Sequence, residues 1–213
     1  DGRAAILSKI EKPAAVKAFA EILDASDGIM VARGDLGVEL PVQAVPPIQK
    51  RLVRTTRSAA KPVIVATQML ESMIESPMPT RAEVSDVSNA IYEGTDAIML
   101  SAESAAGDYP VEAVRTMNAV AEEVESDPTY RDVIEAARRI ERSTVADGIV
   151  SAAREIAEAT DIKVIACFTQ TGTTAGLVAR ERPEVPILAL TNHIGTARRL
   201  ALTWGVTCAV TAR

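Results

Sequence analysis

Four short aliphatic runs, each followed by a stretch of helical periodicity, constrain this chain more than any other feature. The runs cover residues 5–10, 28–32, 61–67 and 95–101, and the helical stretches cover 14–23, 45–60, 79–92 and 110–125. Pro46 and Pro47 suit the first turn of the second helix. Thr80 with Glu83 three residues on predicts a capping box at the start of the third. This alternation builds parallel strands joined by crossover helices, and four units in a row point to a parallel sheet or a (β/α) barrel. Hydrophobic residues make up 47% of the chain but aromatics only 3%. A core of Ala, Val, Ile, Leu and Met suits a parallel sheet covered by helices.

Asp127-Pro128 marks a predicted boundary. A charged, exposed helix is expected over 129–141, and then a second α/β pattern: helix 145–159, strand 163–168, helix 171–180, strand 186–190, helix 195–204 and a strand over 206–211. The expected domains are therefore 1–127, with the barrel-like units, and 128–213, a small α/β open-sheet domain.

Every strand of the first part ends in polar residues: Lys9 and Glu11, Asp35, Thr67, then Ser101 and Glu103. In a barrel the carboxyl ends of the strands form the working face. Lys9 and Glu11 are two apart on a strand and so share a face. Glu11 and Asp35 can together hold a hard divalent cation, with Lys9 beside it to stabilise charge on a phosphoryl group or an enolate. A Lys9–Glu11 ion pair, or carboxylates that cap loops or pair with Arg33, accounts for the same pattern. Gly34 and Gly37 flank Asp35 and Leu36 and let backbone amides approach a ligand, although Gly-Asp is also an ordinary turn. Thr67 can offer a hydroxyl to a substrate or simply end its strand. Met69, Leu70 and Met73 are expected in the core. Arg81 can reach a ligand or a partner subunit, or pair with Glu75 or Glu83. In the second part, Thr169-Gln170-Thr171-Gly172-Thr173-Thr174 follows a strand and opens a helix. Such a segment binds phosphate or merely caps the helix. It is no P-loop, since the Gly-Lys-Ser/Thr ending is absent.

Other classes are disfavoured. With 29 acidic against 23 basic residues the formal charge is -6, which argues against a nucleic-acid surface. No apolar run is long enough to span a bilayer, and Asp1-Gly2-Arg3 does not read as a leader. Cys167 and Cys208 lack metal-type spacing and are expected as reduced, buried thiols. His193 is the only histidine, with no serine elbow or cysteine partner near it, so a histidine-based triad is disfavoured. A cytoplasmic protein with no nucleic-acid or membrane partner is expected.

Several segments resemble the pyruvate kinase family. They are residues 4–16 (Ala-Ala-Ile-Leu-Ser-Lys-Ile-Glu-Lys-Pro-Ala-Ala-Val), 28–37 (Gly-Ile-Met-Val-Ala-Arg-Gly-Asp-Leu-Gly), 66–73 (Ala-Thr-Gln-Met-Leu-Glu-Ser-Met) and 79–83, then Met99-Leu100-Ser101 with Glu103 and Gly107-Asp108-Tyr109-Pro110. The resemblance covers essentially the whole chain and is looser beyond Pro128. Ala14 departs from it, where the family usually has a polar or acidic residue. It implies the last four βα units of a (β/α)8 TIM barrel followed by most of an allosteric C-terminal domain. It implies that Glu11 and Asp35 bind Mg2+ (or Mn2+), and that Lys9 neutralises the phosphoryl group in flight. The amides of Gly34 and Asp35 with the Thr67 hydroxyl would hold the carboxylate of phosphoenolpyruvate, and Thr67 and Ser101 would help protonate the enolate. The products would be pyruvate and ATP, from ADP, in glycolysis. Arg81 would lie at an interface of a homotetramer. Thr169, Thr171, Gly172, Thr173 and Thr174 would take a sugar-phosphate effector.

The same resemblance implies that four further barrel strands, a lid domain, the nucleotide contacts, a K+ site and an arginine facing the phosphate belong to segments outside this chain. We therefore expect a segment of a longer protein that makes no ATP in isolation. Two alternatives stand beside this. One is another phosphoenolpyruvate- or pyruvate-handling barrel, such as a carbon-carbon lyase. The other is a non-catalytic effector-binding and oligomerisation module. The Lys9-x-Glu11 pair together with the Thr67 segment favours the kinase.

Overall fold

The computed structural model describes residues 4–137 and 144–212. Contacts divide the chain into two units, Asp1–Thr56 with Val63–Ala137 and Arg57–Pro62 with Arg138–Arg213. In the first, β1 (Leu7–Ile10) leads to α1 (Pro13–Lys17) and α2 (Phe19–Ala25). β2 (Gly28–Ala32) leads to α3 (Arg33–Glu39), a 3-10 turn at Val42–Ala44 and α4 (Val45–Ser58). β3 (Val63–Ala66) leads through a 3-10 turn at Glu71–Ile74 to α5 (Arg81–Tyr92). β4 (Ala97–Met99) leads to α6 (Ala102–Ala105), α7 (Pro110–Ser126) and α8 (Pro128–Ala136).

The four strands are parallel and lie in chain order β1-β2-β3-β4. Strands laid down in one direction make an arc of a barrel, whereas a doubly wound sheet reverses direction at its switch point. Burial follows position in the arc. All four residues of β3 are buried, and in β2 only Met30 is not, whereas β1 alternates and β4 is half-buried throughout. Interior strands covered on both faces need continuous apolar sequence, which Val63-Ile64-Val65-Ala66 supplies. Met69, Leu70 and Met73 are fully buried, as expected, in the turn after β3. Opposite Ala32 stands Ala66, and opposite Ala66 stands Met99. The residues that follow each strand therefore emerge along one rim.

Three features depart from the sequence expectation. The helix over 14–23 is two helices, broken at Ala18 (φ −92, ψ 21). Residues 33–39 and 102–105 are helical, although no helix was expected there. The third concerns α8, expected as an exposed start to the second domain. Tyr130 and Ile134 are each 2% exposed and belong to the core of the first unit. The Tyr92 hydroxyl donates to Asp127 Oδ2 at 2.8 Å, and the rings of Tyr92 and Tyr130 lie 6.2 Å apart. An apolar pair at i and i+4 makes a one-sided stripe that is buried whatever the charge elsewhere on the helix. The expected end of this helix at 141 lies outside the described residues.

The second unit contains α9 (Val145–Ala159), β5 (Ile165–Phe168), α10 (Thr173–Arg180), β6 (Ile187–Thr191), α11 (Ile194–Leu200) and β7 (Val206–Val210), its strands parallel in the order β5-β6-β7. A capping box between Thr144 and Asp147 opens α9. Asp147 also accepts from buried Arg180 at 2.7 Å. The Thr144 hydroxyl, then Arg180, hold the Asp147 carboxyl well below the usual carboxylate range. Cys167 and Cys208 are free but only partly buried, a correction to the expectation. They sit on strands separated by β6, both in register with Ala189. Burial pushes both thiols up. Among the described residues no helix is long and apolar enough to cross a membrane.

Candidate active site

The carboxyl ends of β1 and β2 bring three charged side chains to one point. Lys9 Nζ lies 2.6 Å from Glu11 Oε2 and 2.8 Å from Asp35 Oδ2. Alternation along β1 explains the first contact: Ile10 is fully buried, so Lys9 and Glu11 emerge on the opposite face. Helix α3 explains the second, since it starts directly after β2 and carries Asp35 in its first turn. Hydrogen bonds to Asp35 and then Glu11 push the Lys9 ammonium well above its ordinary value. The hydrogen bond from Lys9 in turn holds the Asp35 carboxyl below its own. Lys9 is thus always cationic and Asp35 always anionic at neutral pH. Side-chain exposures of 47% for Lys9, 37% for Glu11 and 49% for Asp35 leave the group open to a ligand.

Two carboxylate oxygens within 2.8 Å of one cationic nitrogen form a hard donor pair. Among the described residues no group of three or more His, Cys, Asp or Glu is arranged to hold a metal ion by itself. Mg2+ is commonly bound through one or two carboxylates with water and substrate oxygens completing the shell, so this pair fits it.

Thr67 lies beside the cluster through Gly34, whose amide donates to Thr67 Oγ1 at 2.8 Å. That hydroxyl donates in turn to the Ala66 carbonyl at 2.6 Å. Thr67 and Gln68 both have positive φ, +70° and +52°. Two consecutive left-handed residues, one β-branched, cost about 1–3 kcal/mol each, so surrounding contacts must hold them. Arg33, at the start of α3 and only 7% exposed, does this. Its Nη2 donates to the carbonyls of Thr67 (2.8 Å) and Gln68 (2.7 Å), and its Nη1 to Asp86 Oδ2 on α5 (2.5 Å). Arg33 therefore pairs with Asp86, not with Glu11 or Asp35. Buried Glu103 holds the other end of the same turn, accepting from the amides of Leu70 (3.2 Å) and Ser101 (2.7 Å). Ser101 itself stands at the N-cap position of α6, just beyond β4, without a side-chain capping bond. Sequence reasoning gave neither Arg33 nor Glu103 this role. Their backbone partners on the turn after β3 lie 33 to 35 residues away, so no local spacing signals them.

The remaining sites are more dispersed. Arg81 is exposed, and among the described residues it pairs with neither Glu75 nor Glu83. Against a desolvation that pushes it up, hydrogen bonds from Ser72 and Thr80 hold Glu83 below its ordinary value. Gly37 has open space around it. In the second unit Thr169 Oγ1 accepts from the Gly172 amide at 2.9 Å, and the hydroxyls of Thr171 and Thr173 lie 2.9 Å apart. Gly172 has φ +96°, a left-handed value that suits glycine, at the cap of α10. Thr171 borders an open groove of 490 Å³ with His193, Thr196 and Arg199. Thr173 and Thr174 are exposed in the first turn of α10.

Fold and rim together define a half-barrel of βα units with an ammonium–dicarboxylate site, followed by a parallel α/β domain. A family model described as "Pyruvate kinase, barrel domain" matches residues 1–114, and one described as "Pyruvate kinase, alpha/beta domain" matches 147–213. A pyruvate kinase of Methylorubrum extorquens is 56% identical over 205 residues, which cover 96% of this chain and 43% of that protein. One from Geobacillus stearothermophilus is 49% identical over 201 residues, 94% of this chain and 34% of that protein. The crystal structure of a pyruvate kinase from Cryptosporidium parvum superposes with a TM-score of 0.92 at 42% identity, over 97% of this chain and 42% of that one. The chain belongs to the pyruvate kinase family. It spans less than half the length of the curated relatives it matches.

Proposed function

We infer that this chain supplies part of the active site of a pyruvate kinase, transferring the phosphoryl group of phosphoenolpyruvate to ADP to give pyruvate and ATP in glycolysis. The observation that carries this is the Lys9 ammonium held between Glu11 and Asp35, on the rim that also carries Thr67. Glu11 and Asp35 hold Mg2+ (or Mn2+). When bound, the metal supplies positive charge against the oxygens of substrate and phosphoryl group. Lys9, fully protonated, turns from the carboxylates to neutralise charge on the transferring group. The substrate carboxylate takes the amides of Gly34 and Asp35, which releases the Thr67 hydroxyl from Gly34 to face the substrate. Thr67 and Ser101, through ordered water, help deliver the proton that converts the enolate to pyruvate.

Outside the rim, Arg81 serves a subunit interface of a homotetramer. The loop of Thr169, Thr171, Gly172, Thr173 and Thr174 takes the phosphate of an effector such as a sugar phosphate. K+ and the nucleotide are held by segments beyond the matched half. The protein works in the cytoplasm. The test is a coupled assay on the full-length natural protein, with pyruvate formation followed through NADH oxidation by lactate dehydrogenase. ADP- and Mg2+-dependent pyruvate formation is expected; pyruvate formed without ADP, or none at all, overturns the assignment. The 213-residue chain alone is expected to be inactive.

A further inference from the structure

We propose that Arg33 is a positioning residue for Thr67: its buried guanidinium clamps the left-handed Thr67–Gln68 turn and so aims the Thr67 hydroxyl at the substrate site. This rests on the function proposed above. The geometry supports it in three ways. Arg33 directs three nitrogens along a fixed fork, Nε and Nη2 to the Thr67 carbonyl, Nη2 also to Gln68, and Nη1 to Asp86. The fork binds the backbone of two consecutive non-glycine residues with positive φ, +70° and +52°. The next residue on α3, Gly34, donates its amide N–H to Thr67 Oγ1, so before substrate binds α3 grips Thr67 by both carbonyl and side chain. Asp86, 45% exposed on α5, orients the guanidinium from outside.

Lysine at position 33 keeps the charge but cannot reproduce the planar fork. Arg33→Lys in the full-length protein is expected to lower kcat by about 10- to 100-fold, the scale of a catalytic group displaced by an ångström. KM for phosphoenolpyruvate and thermal midpoint should move far less. The decisive measurement is the double mutant with Thr67→Val. If Arg33 acts through the Thr67 hydroxyl, Arg33→Lys costs little once that hydroxyl is gone. An equal fold-loss in both backgrounds, or no loss in the wild-type background, overturns the proposal. A second measurement needs no turnover. Amide exchange at Gly34 should accelerate in Arg33→Lys while the Gly148 amide on α9 is unchanged, and unchanged exchange at Gly34 overturns the clamp. A Lys9→Met control separates the two ideas. If that variant keeps full activity, the functional assignment fails, and the exchange data still decide the clamp.

Discussion

The amide of Gly34 and the hydroxyl of Thr67 meet at 2.8 Å across 33 residues of sequence. A Cβ on Gly34 would stand 3.3 Å from that oxygen, whereas a Cβ on Gly37 would meet nothing within 4 Å. Both glycines lie in α3, where alanine gains about 0.5–1 kcal/mol over glycine. Gly37→Ala should therefore raise stability by about that amount. Gly34→Ala should not, because Thr67 must yield, and it should also reduce turnover. Chemical denaturation of the two variants reads the difference. Equal stabilisation by both would show that the close approach at Gly34 costs nothing.

Lys9 is half exposed. Lys9→Met should lower kcat by about 10²- to 10³-fold, the scale of one lost electrostatic contact to the transition state. The thermal midpoint should stay near that of the wild type. Glu11→Gln should raise the Mg2+ concentration needed for half-maximal rate by more than the about tenfold typical of an outer-shell change. A Mg2+ titration that does not move would remove Glu11 from the metal site.

Glu93 accepts from Gln49 at 2.9 Å and has Lys50 only at 3.9 Å. Desolvation dominates and pushes its carboxyl up. A carboxyl raised in the folded state favours folding when protonated, and that contribution is lost as pH rises through the folded value. Glu93→Gln, neutral throughout, should be more stable than the wild type at pH 7, with the gap closing as pH falls through the raised folded value toward the ordinary carboxylate range. Thermal midpoints measured from pH 7 to pH 4 check the sign. A variant less stable at pH 7 contradicts it.

Asp147 has the opposite sign. Its carboxyl is held far below the ordinary value near 3.8 by Thr144 and Arg180. Its contribution is present in full above that value and is lost as pH falls below it. Asp147→Asn should thus be destabilising at neutral pH, with the difference from the wild type shrinking below about pH 4. A difference independent of pH would mean that Asp147 acts through its shape and not its charge.

Ile134 is 2% exposed in α8. Its replacement by alanine should cost about 2–5 kcal/mol, the range for large-to-small changes in a core. Hydrogen exchange should place the loss in the first unit, at α5 and α7. Increased exchange confined to α9 and α10 would assign the helix to the second unit instead.

The order of the strands and longer helices was legible because period and punctuation agree there: aliphatic runs of four or five residues, the Thr80–Glu83 capping box, and prolines at helix starts. The convergence of Lys9 and Glu11 followed from strand alternation alone. That Asp35 joins them depends on α3, which Arg-Gly-Asp-Leu-Gly does not announce, since two glycines in five residues read as a turn. The clamp on Thr67 was invisible for a different reason. It is made by side chains gripping backbone atoms of a distant segment, and backbone atoms leave no residue-specific trace. Charge count misled at α8, where a stripe of two apolar residues decided burial.

The seating of α8 has a practical consequence for anyone exchanging the α/β domain between relatives. A splice at Asp127 would take Tyr130 and Ile134 with the incoming module and leave their sockets on α5 and α7 to whatever side chains arrived. A splice beyond Ala137 carries the helix along with the surface that grew up around it.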